Sequence, residues 1–218
     1  MTDVWSQRAE AFRESPTHRE GPDLDLLVEW CDPGHDVKVL DVATGGGHVA
    51  RRLREEGCTV VTVDPAPGME PDVVAPAEEL PFEDGSFDVV TCRIAAHHFE
   101  DIRKAIAEMA RVTQRLVVIE DNVFVDERVE EAERIRDQTH VRCYSEDEWK
   151  EMLTEAGLEV EQVECFEKEH PLEDWLARTG CEGTEAERVR ELLADRMNDD
   201  GTAWTDTKIV IRARKSQS

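Results

Sequence analysis

Val37-Lys38-Val39-Leu40-Asp41-Val42-Ala43-Thr44-Gly45-Gly46-Gly47-His48 places three glycines directly after an apolar run and ahead of a helix-forming stretch. Val37–Val42 is short and apolar, the pattern of a strand covered on both faces. The segment through Arg52 to Glu56 then reads as a helix that Gly57 closes at its C′ position. A glycine loop between strand and helix lets backbone approach a ligand with no Cβ in the way, and the helix N-terminus behind it favours a negative group. Taken alone, Gly45-x-Gly47-x-x-Ala50 also fits a dinucleotide-binding turn, or a tight turn that holds no ligand.

Moving outward, Cys58–Val63 reads as a second strand, followed by strands near Val73-Val74, at Phe87–Cys92 and at Arg115–Glu120, with a helix at Ile102–Arg111 before the last. Strands separated by helices of this length predict a parallel, doubly wound α/β sheet. Asp23–Trp30 reads as a helix within an otherwise polar segment 1–36. Beyond the fifth strand, Glu127–Gln138 is a charged helix and Ser145-Glu146-Asp147-Glu148 a capping box opening a helix that ends near Gly157. Leu158–Phe166 and Lys208–Ala213 alternate as strands, with Leu172–Met197 mostly helical between them. The organisation expected is a helical cap over 1–36 and one domain over 37–218 with a helical excursion at about 127–200.

Two acids distinguish the possible ligands. Asp41 stands at the end of the first strand, where a pyrophosphate would be repelled and an ammonium or sulfonium attracted. Asp64 ends the second strand, where a carboxylate accepts the hydroxyls of a ribose. Together they favour S-adenosylmethionine over NAD.

These motifs resemble those of class I S-adenosylmethionine-dependent methyltransferases of the type 11 kind, near the ubiquinone and menaquinone C-methyltransferases. The D-x-G-x-G-x-G loop is matched by Asp41, Ala43, Gly45 and Gly47, with Ala43 where many members carry Gly. Ala77-Glu78-Glu79-Leu80-Pro81-Phe82-Glu83-Asp84-Gly85-Ser86-Phe87-Asp88 and Cys92-Arg93-Ile94-Ala95-Ala96-His97-His98-Phe99 resemble two further motifs of the family. The resemblance covers roughly 8–165. It implies a Rossmann-like, mostly parallel seven-stranded sheet with helices on both faces and a methyl transfer from S-adenosylmethionine to a small molecule, quinone-like or isoprenoid-linked. It also implies cofactor contacts from Asp41, Ala43, Thr44, Gly45, Gly47, Asp64, Pro65, Met69, Ala77 and Glu78, with Met69 on the adenine. Arg93, at the end of the fourth strand, either pairs with the cofactor's methionyl carboxylate or forms a structural salt bridge to an acid. Pro76 stands where the family has an Asp for the adenine amino group, a departure that keeps open a nucleotide-binding or regulatory protein without methylation activity. The N-terminal segment containing Ala9, Phe12, Ser15 and His18 is expected to fold over the cofactor.

His97 and His98 follow the fourth strand at the carboxyl edge, where either ring serves as a base for the acceptor or packs in the loop. Proximity to the strand end favours His97. Glu120-Asp121-Asn122 ends the fifth strand and either orients an acceptor or caps the next segment. His18 and His140 read as exposed loop residues, and Trp149, Trp175 and Trp204 as core or as the lining of an aromatic acceptor pocket.

Composition bounds the partners. The 218 residues carry 51 Asp and Glu against 26 Lys and Arg, a net charge of −25 with no basic stripe to meet nucleic acid. No apolar run approaches a membrane span, and Met1-Thr2-Asp3-Val4-Trp5 lacks a secretory signal, so a cytoplasmic protein is expected. Excess carboxylate suits a halophile, whose concentrated salt screens self-repulsion. The six cysteines form no C-x-x-C pair, which predicts reduced core residues and no metal. The expected partners are a small-molecule acceptor and a second copy of the chain in a homodimer.

Overall fold

The computed structural model describes residues 2–216, so Met1 and Gln217-Ser218, the outer ends of the two expected regions, lie outside the described residues. Three helices come first: α1 (Thr2–Glu14), α2 (Pro16–Arg19) and α3 (Pro22–Trp30). Strand–helix alternation follows with β1 (Lys38–Val42), α4 (His48–Glu55), β2 (Thr59–Asp64), a 3₁₀ turn at Pro67–Met69, and β3 (Val73–Val74). Next are β4 (Phe87–Arg93), a second 3₁₀ turn at Ala96–His98, α5 (Ile102–Val112) and β5 (Thr113–Asn122). The remainder comprises α6 (Glu127–Arg136), α7 (Glu146–Glu155), β6 (Leu158–Pro171), α8 (Leu172–Ala177), α9 (Gly183–Leu192), a 3₁₀ turn at Ala194–Arg196 and β7 (Ala203–Lys215).

The seven strands form one sheet in the order β3-β2-β1-β4-β5-β7-β6. β1 to β5 run parallel, and β7 inserts antiparallel between β5 and β6. The order reverses beside β1, the switch point at whose carboxyl edge open α/β sheets bind ligands. This is the doubly wound sheet expected from the strand–helix pattern.

Successive strand residues feed opposite faces, as a period of two requires. Leu40, Val90, Val117, Ile119 and Ile211 pack beneath α5 and α7, while Val39, Val89, Val118 and Val210 pack beneath α3 and α4. α5 begins where the Asp101 carboxylate accepts from the Lys104 N–H at 3.0 Å. It then buries Ile102, Ala105, Ile106, Met109 and Ala110, one stripe of the 3.6-residue period. The capping box at Ser145 forms as expected, Ser145 Oγ accepting from Glu148 N–H and Glu148 Oε2 from Ser145 N–H.

Two features, α1 and the β6–β7 hairpin, depart from the sequence reading. α1 is a full helix within the segment read only as polar. The hairpin strands β6 and β7 are longer than expected, and they pair over their whole length from Leu158↔Lys215 to Pro171↔Ala203. The stretch read as mostly helical is so, with a break after Ala177 where Gly180 at φ +75 and Gly183 at φ +58 take left-handed backbone. Among the described residues no helix is long and apolar enough to cross a membrane. The six cysteines are all free thiols, five of them buried.

With 25 more carboxylates than cations, most facing water, the folded chain repels itself. A Debye length of ~10 Å at 0.1 M salt leaves neighbouring acids coupled, whereas ~3 Å at 1 M does not. The native state is therefore expected to be lost below roughly a few hundred millimolar KCl. Circular dichroism across a KCl series checks this; a flat thermal midpoint from low to molar salt contradicts it.

Candidate active site

At the carboxyl ends of β1, β2 and β4 lies a cavity of about 560 Å³, a volume in the ordinary range of small-ligand sites. Ala43, Thr44, Gly45 and Gly46 of the glycine loop line it, whereas Gly47, expected there from the sequence, does not. Gly45 and Gly47 adopt left-handed φ of +51 and +74, and a Cβ on Gly46 would meet Phe12 O at 3.0 Å. Ala43 shares the left-handed conformation at φ +53, a strained position where a glycine fits without penalty. Opposite it, Ile94 carries φ +50 immediately after β4, a true outlier for a β-branched residue.

Asp64 is fixed by two backbone N–H groups of other residues: Oδ2 accepts from Gly45 N–H at 3.0 Å and Oδ1 from Ala66 N–H at 2.9 Å. Burial nonetheless raises its pKa above the usual carboxylate value. Asp41 accepts from the hydroxyls of Thr44 at 2.6 Å and Thr91 at 2.9 Å. Burial pushes it up to about 6 against those hydrogen bonds. Both carboxylates line the one cavity.

Pro65, Met69, Pro76, Ala77 and Glu78 line the same space. Glu78 Oε1 accepts from Glu100 N–H at 3.0 Å, tying the loop after β3 to the start of α5. α1 covers the cavity with Trp5 and Phe12. It is held by Gly68 N–H to Ser6 Oγ at 3.0 Å, Arg13 to Gly68 O at 2.6 Å and His48 Nε2 to Phe12 O at 3.0 Å.

Arg93 also borders the cavity, but its guanidinium is engaged elsewhere. Nε donates to Glu120 at 2.6 Å, Nη2 to Asp23 at 2.5 Å and Nη1 to the His18 carbonyl at 2.9 Å. Of the two readings of Arg93, these ion pairs match the structural salt bridge: it is a strut joining β4 to β5 and α3. Burial first, and the proximity of Asp23 next after the opposing Arg93, raises Glu120 to about 7. Asp23, buried yet beside Arg93 and Lys168, is lowered to about 2.

The two histidines divide. His98 lines the large cavity, and its Nδ1 donates to Thr139 O at 3.0 Å, which leaves Nε2 as the lone-pair nitrogen. His97 lies behind it, with Nδ1 on Asp121 Oδ1 at 2.5 Å and ring centroids 4.0 Å apart. Burial disfavours the His97 imidazolium, but Asp121 outweighs it and the pKa is raised. His98 is held well below 6.5, by burial and then by the charge on His97. Only His98 reaches the large cavity, whereas both rings line a smaller neighbouring one.

A second, smaller cavity of about 40 Å³ adjoins the first and shares Phe12, His18, Ile94 and His98 with it. Its residues come from the ends of β5, β6 and β7 and from α6 and α8, a gathering that no local motif signals. Glu120, Asp121 and Asn122 all bond inward, to Arg93, His97 and Lys208. Trp149 and Trp204 are fully buried in the core, and of the three tryptophans weighed for an acceptor pocket only Trp175 touches this cavity. His140 is buried against Glu130 at 3.0 Å, not exposed. His18 lines both cavities and accepts at Nδ1 from Arg178 at 3.1 Å.

A Rossmann-like sheet with a glycine loop, an acid after each of the first two strands and a cavity at the switch point defines a nucleoside-cofactor enzyme. A family model described as a methyltransferase domain matches residues 5–163, and the chain belongs to that family, as a class I S-adenosylmethionine-dependent methyltransferase. It is 32% identical over 211 residues to YcgJ, an uncharacterised methyltransferase of Bacillus subtilis, covering 87% of this chain and 82% of that protein. The solved structure of the B. subtilis YcgJ protein matches with TM-score 0.81 at 27% identity, over 90% of this chain and 99% of that one. Similarity to a demethylmenaquinone methyltransferase of Thermus thermophilus is 39% over 116 residues, 44% of this chain and 51% of that protein.

Proposed function

We propose that the chain transfers a methyl group from S-adenosylmethionine, held in the large cavity, to a small polar acceptor entering from the adjoining small one, in the cytoplasm. The observation that carries this reading is the shared wall between the cavities, with the lone-pair nitrogen of His98 in it. Asp64 takes the ribose hydroxyls and Asp41 the ammonium. Ala43, Thr44, Gly45 and Gly47 supply the loop, while Pro65 and Met69 pack on the adenine and Ala77 and Glu78 meet its edge. Glycine backbone without Cβ and two carboxylates fit that group's mixture of cationic and hydroxyl functions.

S-adenosylmethionine supplies an electrophilic methyl on a sulfonium. The chain then has to align the acceptor and, where the acceptor is a phenol, enol or thiol, remove its proton. His98 is neutral at pH 7 and oriented by Thr139, so it takes that proton at Nε2. The lining of the small cavity is charged rather than apolar, which favours a small polar acceptor over an isoprenoid-linked one. A quinone-type acceptor is suggested by the demethylmenaquinone relatives, whose match covers less than half of this chain.

Calorimetric titration of S-adenosylmethionine and NAD side by side, in molar KCl from pH 5 to 8, tests the donor half of the reading. Asp41 has a raised pKa of about 6 in the free protein, and an ammonium binds its ionised form. Affinity for S-adenosylmethionine is therefore constant above that value and falls as pH drops through it, by up to about tenfold per unit. NAD binding in place of the methyl donor sinks the assignment; an affinity flat down to pH 5 removes Asp41 from the ammonium.

A further inference from the structure

The small cavity inverts the charge balance of the whole chain. Four cations, Arg136, Lys168, Arg178 and Lys208, line it against two carboxylates, Asp137 and Asp206. Two of the counter-ions stand behind the wall: Lys168 reaches Asp23 at 2.6 Å and Arg136 reaches Glu133 at 3.0 Å. Asp137 in turn is matched by Arg8 at 3.0 Å. Arg178 bonds Ser15 Oγ at 3.2 Å and His18 Nδ1, two neutral groups on the cap side. Lys208, the buried one of the four, pairs with Asp206 at 2.9 Å, and the lining still carries more cations than carboxylates in a protein with nearly twice as many acids as bases.

A second feature points the same way. His170 on β6 is only 4% exposed, yet its Nδ1 has no hydrogen-bond partner. Its Nε2 lies 3.1 Å from Asp206 Oδ2, out of hydrogen-bond alignment. An orphaned buried ring nitrogen is expensive unless a ligand or water completes it. The crowding of charge also shifts the proton affinities of the lining groups. Burial, and then the neighbouring Arg136, pulls Arg178 down to about 10. Burial lowers His170 despite Asp206, with Lys208 and Arg178 adding to the fall. An entering anion relieves each of these.

Resting on the reading above, we propose that this cavity is the acceptor's anchoring subsite and that the acceptor is a small carboxylic acid whose carboxylate is held by Arg178, Lys208 and His170. Size selects among anions. About 40 Å³ admits roughly three water-sized groups, which matches the three heavy atoms of a carboxylate and is short of a phosphoester. Asp206 Oδ1 is also without a partner, so the ligand brings a hydroxyl or water donor beside its carboxylate. The rest of the molecule points past Ile94 and His98 toward the methyl donor.

The probes are benzoate, benzamide and phenyl phosphate, titrated into the full-length protein loaded with S-adenosylhomocysteine. The readout is the histidine ring ¹H–¹³C spectrum, in which His170→Asn identifies the His170 signal; chloride competes equally in every arm. Benzoate is expected to shift the His170 signal and saturate, benzamide to bind at least about tenfold more weakly, and Arg178→Gln to weaken benzoate by about tenfold or more, with Arg178→Lys recovering part. Equal binding of benzamide, an unmoved His170 signal or an unaffected Arg178→Gln variant that still binds S-adenosylhomocysteine overturns the proposal. Saturation by phenyl phosphate alone overturns the carboxylate in favour of a phosphoester. Benzoate binding in a protein that takes up no S-adenosylhomocysteine overturns the donor reading and leaves the subsite standing; the reverse overturns only the subsite.

Discussion

Replacing His98 by alanine is expected to slow methyl transfer by about 10²–10⁴-fold, the ordinary worth of a positioned general base, while S-adenosylmethionine affinity stays nearly unchanged. The separation follows from where the ring sits: it lies in the wall between the cavities, whereas the carboxylates of Asp41 and Asp64 belong to the donor half. The pH profile carries the sharper signature. His98 is held well below 6.5 by burial and by the charge of His97, so its base form is fully present above that pH and lost only toward acid. The rate should be flat from pH 6.5 upward. Were His97 the base, its raised pKa would place the rising limb above 6.5. A wild-type rate in His98→Ala, or a limb above 6.5, refutes the assignment.

Asp64→Ala is expected to weaken S-adenosylmethionine binding by about 10²–10⁴-fold. Each charged hydrogen bond to a ribose hydroxyl is worth about 1.5–3 kcal/mol, and two are lost together. The same substitution leaves the N–H groups of Gly45 and Ala66 without their acceptor, so the loop loosens as well. Asp64→Asn separates the effects, because its amide oxygen still accepts one backbone N–H while the charge is gone. Calorimetry on both variants, with thermal midpoints to confirm folding, decides the matter. An Asp64→Ala protein that folds and binds normally would put the ribose elsewhere.

The parallel half of the sheet was legible because its signals are local. Val39–Val42 and Val60–Val63 are short apolar runs, Gly57 takes left-handed backbone at φ +90, and the Ser145 capping box closes within four residues. What escaped depends on pairing across distance. α1 carries a polar composition whose apolar residues Trp5, Ala9 and Phe12 bury themselves only against the Pro67–Met69 turn and the cavity mouth. The length of β6 was hidden by its many glutamates, which sit on exposed positions that only the antiparallel partner β7 makes extended. The role of Arg93 needed Asp23, seventy positions earlier. His97 and His98 are adjacent in sequence, and nothing in their spacing tells which ring a carboxylate 24 positions later will hold.

The β6–β7 hairpin has an evolutionary consequence. The large cavity proposed for the donor is lined mainly from the segment before residue 105, but Lys168 and His170 ride on β6 and Asp206 and Lys208 on β7, in the tail that follows residue 157. Because β7 docks on the parallel block through one strand contact, β5, the tail can drift under selection for new acceptors while the donor half stays fixed. Exchanging 158–215 between relatives is then a route to altered acceptor choice with inherited donor use, and divergence within a lineage should concentrate on the four hairpin positions that face the small cavity.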